Sequence, residues 1–191
     1  MLKELLQHLD ELNVHIENLN DEIDNFMKPE EKQASQVIQD VTGIGNTSAQ
    51  TIIAVIGTDM ERFPSDRHIS SWAGLCPGDN VSAKKRKSGK IRKGNALLKS
   101  TLVLCAHAAV RHKSSYFHAQ FKRISTHRGK KRAYVAVAHS ILIAIYHILK
   151  DGVKYQDLGA EYYNQFNAER KIHAYLKKLK DRKSTRLNSS H

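Results

Sequence analysis

Cysteine is almost missing from this chain, with only Cys76 and Cys105 among 191 residues. Two thiols without a CxxC spacing make neither a disulfide framework nor a zinc site, so reduced structural thiols are expected. No run approaches the 18 to 20 apolar residues of a membrane-spanning helix, and the N-terminus lacks the basic-then-apolar layout of a signal peptide. The expectation is therefore a cytoplasmic protein with no membrane partner. Prolines are few, at Pro29, Pro64 and Pro77, and no internal repeat or low-complexity block is present. Acidic residues are scarce in one part only. Residues 1–40 carry three basic and ten acidic side chains, net −7, which leaves 28 basic and 9 acidic, net +19, for residues 41–191. A body that positive attracts polyanions, and nucleic acid is the leading partner class.

What is present begins with a heptad seam. Leu2, Leu5, Leu9, Leu12, Ile16, Leu19, Ile23 and Phe26 alternate in steps of three and four, the pattern of a coiled-coil helix. Three coverings fit it: a second copy of the chain, a neighbouring helix, or the surface of the body. Pro29 ends this arm and, with Glu30 and Glu31, suits the first turn of a short second helix. Val41 to Gly57 then reads as an apolar residue, a Gly43-Ile44-Gly45 hairpin and a helix with Ala49, Ile52, Ile53 and Ile56 on one side. That layout resembles a helix-hairpin-helix unit, in which Gly43 and Gly45 would bring backbone N–H groups to a phosphate. Packing glycines in a tight turn would give the same letters.

Ser65 and Asp66 open a short helix ending near Trp72, with Gly74 as its stop. Phe63, Ile69 and Trp72 are expected to form an apolar wall behind the next segment, Trp72 being either core or a base-stacking ring. Periodicity vanishes from Cys76 to Lys93, a short hairpin or ordered loop. Seven of the ten residues from Lys84 to Lys93 are basic: Lys84, Lys85, Arg86, Lys87, Lys90, Arg92 and Lys93. Ser82 stands two positions upstream. Helices resume at Asn95, with Leu97, Leu98, Leu102, Cys105, Ala108 and Ala109 on one face, and again at Ser114 or Ser115. After the basic turn His127 to Arg132, the stretch Ala133 to Leu149 is apolar nearly all round and reads as the central helix.

The fold expected is all-α, an N-terminal coiled-coil arm over residues 1–28 followed by a compact helical domain over 29–165. A polar helix or tail occupies 166–182, and residues 183–191 read as a non-native scar. The loop's chemistry is that of phosphate binding. Lys and Arg surround equatorial phosphoryl oxygens, while a serine is a poor nucleophile without a base or an activated target. Eleven histidines do not make a ligand set, because His139/His147 and His107/His112 have unsuitable spacings and no nearby carboxylates. No spaced Arg and His set accompanies Tyr116 or Tyr134 for tyrosine recombination. No metal site is expected.

Several ordered motifs carry a resemblance. GIG at Gly43–Gly45, RFPS at Arg62–Ser65, WAGLCPGDN at Trp72–Asn80, SAKKRKSGKIRKGN at Ser82–Asn95 and the adjoining ALLKSTLVLCAHAA resemble the C-terminal domain of insertion-sequence-110 type transposases, related to Piv-type DNA invertases. The similarity extends over roughly residues 38–165. It implies DNA transposition by a serine nucleophile, which maps to Ser82, although Ala83 replaces the family's usual glycine. It also implies an RNase H-like domain with an acidic tetrad binding a divalent metal such as Mg, a guide RNA, and oligomers formed through the coiled coil. Nothing in residues 1–40 could be that domain, so the chain reads as a linker plus C-terminal domain. The alternative is a non-catalytic helix-hairpin-helix nucleic-acid-binding module in which Ser82 only binds phosphate.

Overall fold

Seven α-helices, a 3-10 turn at Met60–Arg62 and one small hairpin form the body of the described residues. The computed structural model describes residues 1–76, 80–82, 85–88, 93–163, 165, 172–173 and 175–176, with the backbone alone for 80–82 and 85–88. The helices are α1 (Leu2–Phe26), α2 (Pro29–Ile38), α3 (Asn46–Ile56), α4 (Asp66–Trp72), α5 (Ala96–Ala109), α6 (Tyr116–Arg128) and α7 (Lys130–Asp151). Strands β1 (Asn80–Ser82) and β2 (Lys85–Ser88) pair antiparallel between α4 and α5. The all-α expectation holds, with the basic segment resolved as the hairpin option.

Helix α7 is the axis of the body. Val137, Ala138, Ile141, Leu142 and Ile145 have no exposed surface, and α2, α4, α5 and α6 all pack against it. Its length and composition would suffice to cross a membrane, which corrects the expectation that no span qualifies. Here the apolar surface is spent on the core formed with Ile38, Ile52, Ile53, Ile69, Leu98 and Leu102. Burying side chains of this size stabilises by about 1.5–3 kcal/mol each relative to exposure. Tyr146 carries its one polar atom into this core and satisfies it, donating from Oη to the Phe63 carbonyl at 3.0 Å.

Helix α5 turns inward most of the face its sequence suggested, with two residues left outside. Leu98, Thr101, Leu102, Cys105, Ala106 and Ala109 are buried, whereas Leu97 is 56% exposed and Ala108 is also exposed. Asn95 sets this phase by capping the helix, its Oδ1 accepting from the Leu98 N–H at 2.9 Å. Helix α6 starts the same way on Ser115, whose Oγ accepts from the His118 N–H at 3.1 Å.

Helix α1 buries none of its side chains. Its C-terminal turns touch α3, where Gln50 Nε2 donates to the Asn20 carbonyl at 3.1 Å and to Asp24 Oδ1 at 2.9 Å. The seam residues stay open to solvent, Leu9 at 56% and Leu19 at 57%. At the other end of the body, Asp157 ties the chain after α7 back, accepting from the Tyr116 N–H at 2.9 Å and from Thr42 Oγ1 at 3.3 Å.

Candidate nucleic-acid interface

The basic hairpin leaves the body through a closed neck. Helix α4 ends at Ala73, and Gly74 takes a left-handed φ of +71°, so its N–H returns to the Ser71 carbonyl and the Leu75 N–H to that of Ser70, both at 3.0 Å. Where the chain returns, Gly94 lies against this turn: a Cβ added there would sit 2.3 Å from the Gly74 nitrogen and 2.5 Å from the Ala73 carbonyl carbon. Only glycine permits that backbone approach. The Asn95 N–H then donates to the Trp72 carbonyl at 3.4 Å and its side chain starts α5. Residues 75–93 therefore begin and end at one fixed point.

Within the hairpin, Asn80 pairs with Ser88, Val81 with Arg86 and Ser82 with Lys85. The shift between the first two pairs leaves Lys87 as the extra residue of a bulge. Ser82 is thus the last residue of β1, set across the ladder from Lys85. Two residues, 83 and 84, separate these partners in the sequence. Lys84, Lys90 and Arg92 lie outside the described residues, and Ser82, Lys85, Arg86 and Lys87 are described by backbone only. Lys93 is described and exposed.

A cysteine and a histidine meet at the neck, a pairing missed in the sequence because 63 positions separate them. Cys76 Sγ lies 3.7 Å from His139 Nε2. Burial raises the Cys76 pKa, with Asp66 adding to it, while burial lowers that of His139 against an opposing pull from Asp66. Both shifts favour neutral forms, so the contact joins a thiol and an imidazole rather than a thiolate and an imidazolium. Such a thiol is a weak nucleophile. Among the described residues no three His, Cys, Asp or Glu side chains are grouped to hold a metal ion.

The two glycines of the Gly43–Gly45 hairpin have different surroundings. Gly43 has φ +96°, and an added Cβ would lie 2.5 Å from the Cys105 carbonyl oxygen and 2.6 Å from the Ala109 nitrogen. It is a packing glycine, seated on the backbone of α5. Gly45 faces open space, with nothing within 4 Å of an added Cβ, and precedes α3, which has no side-chain cap. Of the two, Gly45 alone is exposed. Its neighbour across the groove is α1, where Asn20 Oδ1 accepts from Thr47 Oγ1 at 3.2 Å.

Trp72 is not core. It is 40% exposed, tilted against the buried Phe63 with ring centroids 5.5 Å apart.

Comparison with known proteins adds a family likeness. Residues 35–122 match the model of the transposase IS116/IS110/IS902 family. The chain is similar to the transposase for insertion sequence element IS1111A of Coxiella burnetii, 32% identical over 108 residues, which cover 54% of this chain and 29% of that protein. It is also similar to the insertion element IS110 uncharacterized 43.6 kDa protein of Streptomyces coelicolor, 28% identical over 130 residues, covering 64% of this chain and 30% of that one. The aligned part thus spans under a third of either relative. The matched segment contains the glycine hairpin, the neck and the whole basic hairpin.

Proposed function

Because residues 35–122 carry the match to IS116/IS110/IS902 family transposases, we propose that this chain is the DNA-engaging part of a serine transposase, with Ser82 as the nucleophile. The observation that carries the proposal is the ladder register, which sets Ser82 opposite Lys85 at the end of a hairpin held by a glycine-tight neck. Ser82 Oγ attacks a phosphodiester phosphorus. As the O–P bond forms, the bond to one sugar oxygen breaks; the serine proton passes to a base and the departing oxygen takes one up. Reversal with a different sugar hydroxyl rejoins the strand. Lys84, Lys85, Arg86, Lys87, Lys90, Arg92 and Lys93 offset the charge on the phosphoryl oxygens, an electrostatic role for which position matters more than sequence specificity.

The segment around Ser82 does not fit a divalent metal. Asp79 is the single carboxylate between Asp66 and Asp151, and a hard cation takes about six oxygen donors. A Mg-binding RNase H-like domain would have to come from outside these residues. DNA and a guide RNA are the proposed partners, the exposed Gly45 backbone adds a phosphate contact, and the open leucine seam of α1 pairs with a second copy as a coiled coil.

Ser82→Ala in the protein carrying all its domains, given element-end DNA, tests the assignment. Loss of a covalent protein–DNA adduct with retained DNA binding is expected. Undiminished recombination would reduce Ser82 to a phosphate ligand and leave the non-catalytic binding module as the function.

A further inference from the structure

A second basic surface lies away from the hairpin. Lys122, Arg123, Arg128, Lys130, Lys131 and Arg132 gather at the corner where α6 ends and α7 begins, joined by the single residue Gly129. The two helices pack against each other along their length, so the last turns of one and the first turn of the other share this end of the body. Lys122, Arg128, Lys130, Lys131 and Arg132 are exposed, and Arg123 is half-buried. Nothing lies within 4 Å of a Cβ added at Gly129, so the turn itself is open.

Among the described residues no carboxylate pairs with the charges at this corner. The ion pairs among the described residues involve only the N-terminus, His8 and His147, and the sequence contains no Asp or Glu from residue 80 to residue 150. An ordinary solvated helix face intersperses both signs, because like charges one turn apart repel. Six cations on two adjoining helix ends without one carboxylate make a surface suited to a polyanion. The absent cap of α7, whose N-cap Gly129 has no side chain to offer, places the positive end of a 22-residue helix at the same corner.

Helix α7 itself measures the separation from the neck of the hairpin. His139 touches Cys76 at the neck, and nine residues separate it from Lys130, about 14 Å at 1.5 Å per residue. That is too far for one phosphate and well within one double helix, which presents about one charge per 1.7 Å of axis. Between the two, Tyr134 is stacked on His107 with ring centroids 3.5 Å apart, which joins α7 to α5 firmly enough to keep the spacing.

We propose that the α6–α7 corner is a second binding surface for the phosphodiester backbone of a double helix, distinct from the basic hairpin and independent of any role for Ser82. Its phosphate contacts add to those that the hairpin makes.

The test uses the intact chain and random-sequence 30-base-pair duplexes of DNA and of RNA, titrated across sodium chloride concentrations. The triple variant Lys130→Gln, Lys131→Gln, Arg132→Gln is expected to weaken binding about tenfold or more and to lower the log–log salt slope by roughly 2–3, from about 0.9 per phosphate lost. A charge-keeping triple, Lys130→Arg, Lys131→Arg, Arg132→Lys, should retain both values, which separates charge from any disturbance of α7. A loss confined to one duplex identifies that nucleic acid as the ligand. An unchanged dissociation constant and slope on both duplexes would overturn the proposal. A parallel triple in the hairpin, Lys84→Gln, Arg86→Gln, Lys87→Gln, reports on the hairpin by itself, so either surface can fail without the other.

Discussion

Gly43 and Gly45 stand two residues apart in one turn, and the structure uses them for opposite ends. Gly43 combines a left-handed φ with a backbone seat on α5 where even a methyl group would overlap the Cys105 carbonyl. Gly45 takes an ordinary extended conformation at φ −101° and faces open space. The pair shows that a glycine motif contains two separable statements, one about how helices meet and one about where backbone is left for a ligand.

Gly43→Ala should break that comparison with the largest effect. The substitution incurs both left-handed strain, on the order of 1–3 kcal/mol, and overpacking of about 1–3 kcal/mol. A loss of roughly 4 kcal/mol by urea denaturation is expected from the two together, with α2 and α3 displaced from α5. A loss below about 1 kcal/mol, under the lower bound of either cost, would mean that Gly43 is not seated on α5.

The same contrast extends to whole helices. Ile145→Ala on α7 empties a site with no exposed surface and should cost about 2–5 kcal/mol. Leu9→Ala on α1, already 56% exposed, should change the unfolding free energy of the dilute chain by less than about 0.5 kcal/mol. Its effect belongs to assembly instead. The two processes should also respond to salt in opposite senses, because α1 carries seven acidic residues against Lys3 alone: screening favours pairing of two arms and weakens nucleic-acid binding. Sedimentation at low and high salt checks this, and arms that separate as salt rises would sink it.

How far the sequence revealed these features depends on whether each is local. Helix α7 was legible because apolar residues on nearly every side demand an apolar surrounding all round. Helix starts at Asn95 and at Ser114 or Ser115 were legible because they are local, and the structure caps them from Asn95 and Ser115, three residues from their partners. The α1 seam predicted a helix with an apolar stripe, yet periodicity says nothing of what covers it. Contacts across long separations left no trace: Gly94 against Gly74, Cys76 beside His139, and the phase of α5 that leaves Leu97 outside. The roles of Gly43 and Gly45 could not be told apart because both require the same residue. Ser82 was singled out by motif order, and the ladder adds its partner Lys85.

A smaller effect tests the neck. Burial holds the His139 imidazole below the ordinary histidine range, so the folded chain takes up this proton less readily than the unfolded chain. Folding stability from His139 is therefore fully present above about pH 6.5, the unfolded value, and falls as pH drops through the folded value. Melting temperatures from about pH 7.5 to 5, which brackets that unfolded value, should decline less steeply in His139→Gln than in the parent. Parallel declines would show that His139 does not titrate differently on folding.

Gly45→Ala asks the finest question. An exposed alanine is a poorer N-cap than glycine, but it also restricts the unfolded chain, worth about 0.4–1 kcal/mol in the opposite sense. The two nearly cancel, and stability should stay within about 0.5 kcal/mol of the parent. Duplex binding is a separate matter, since the added methyl stands where a phosphate would approach the first turn of α3. With Asn20 and Asp24 of α1 close by, that contact is a weak one, and the expected loss of affinity is about threefold. Unaltered affinity at unaltered stability would assign the whole turn to packing, leaving the basic hairpin and the α6–α7 corner as the surfaces that meet nucleic acid.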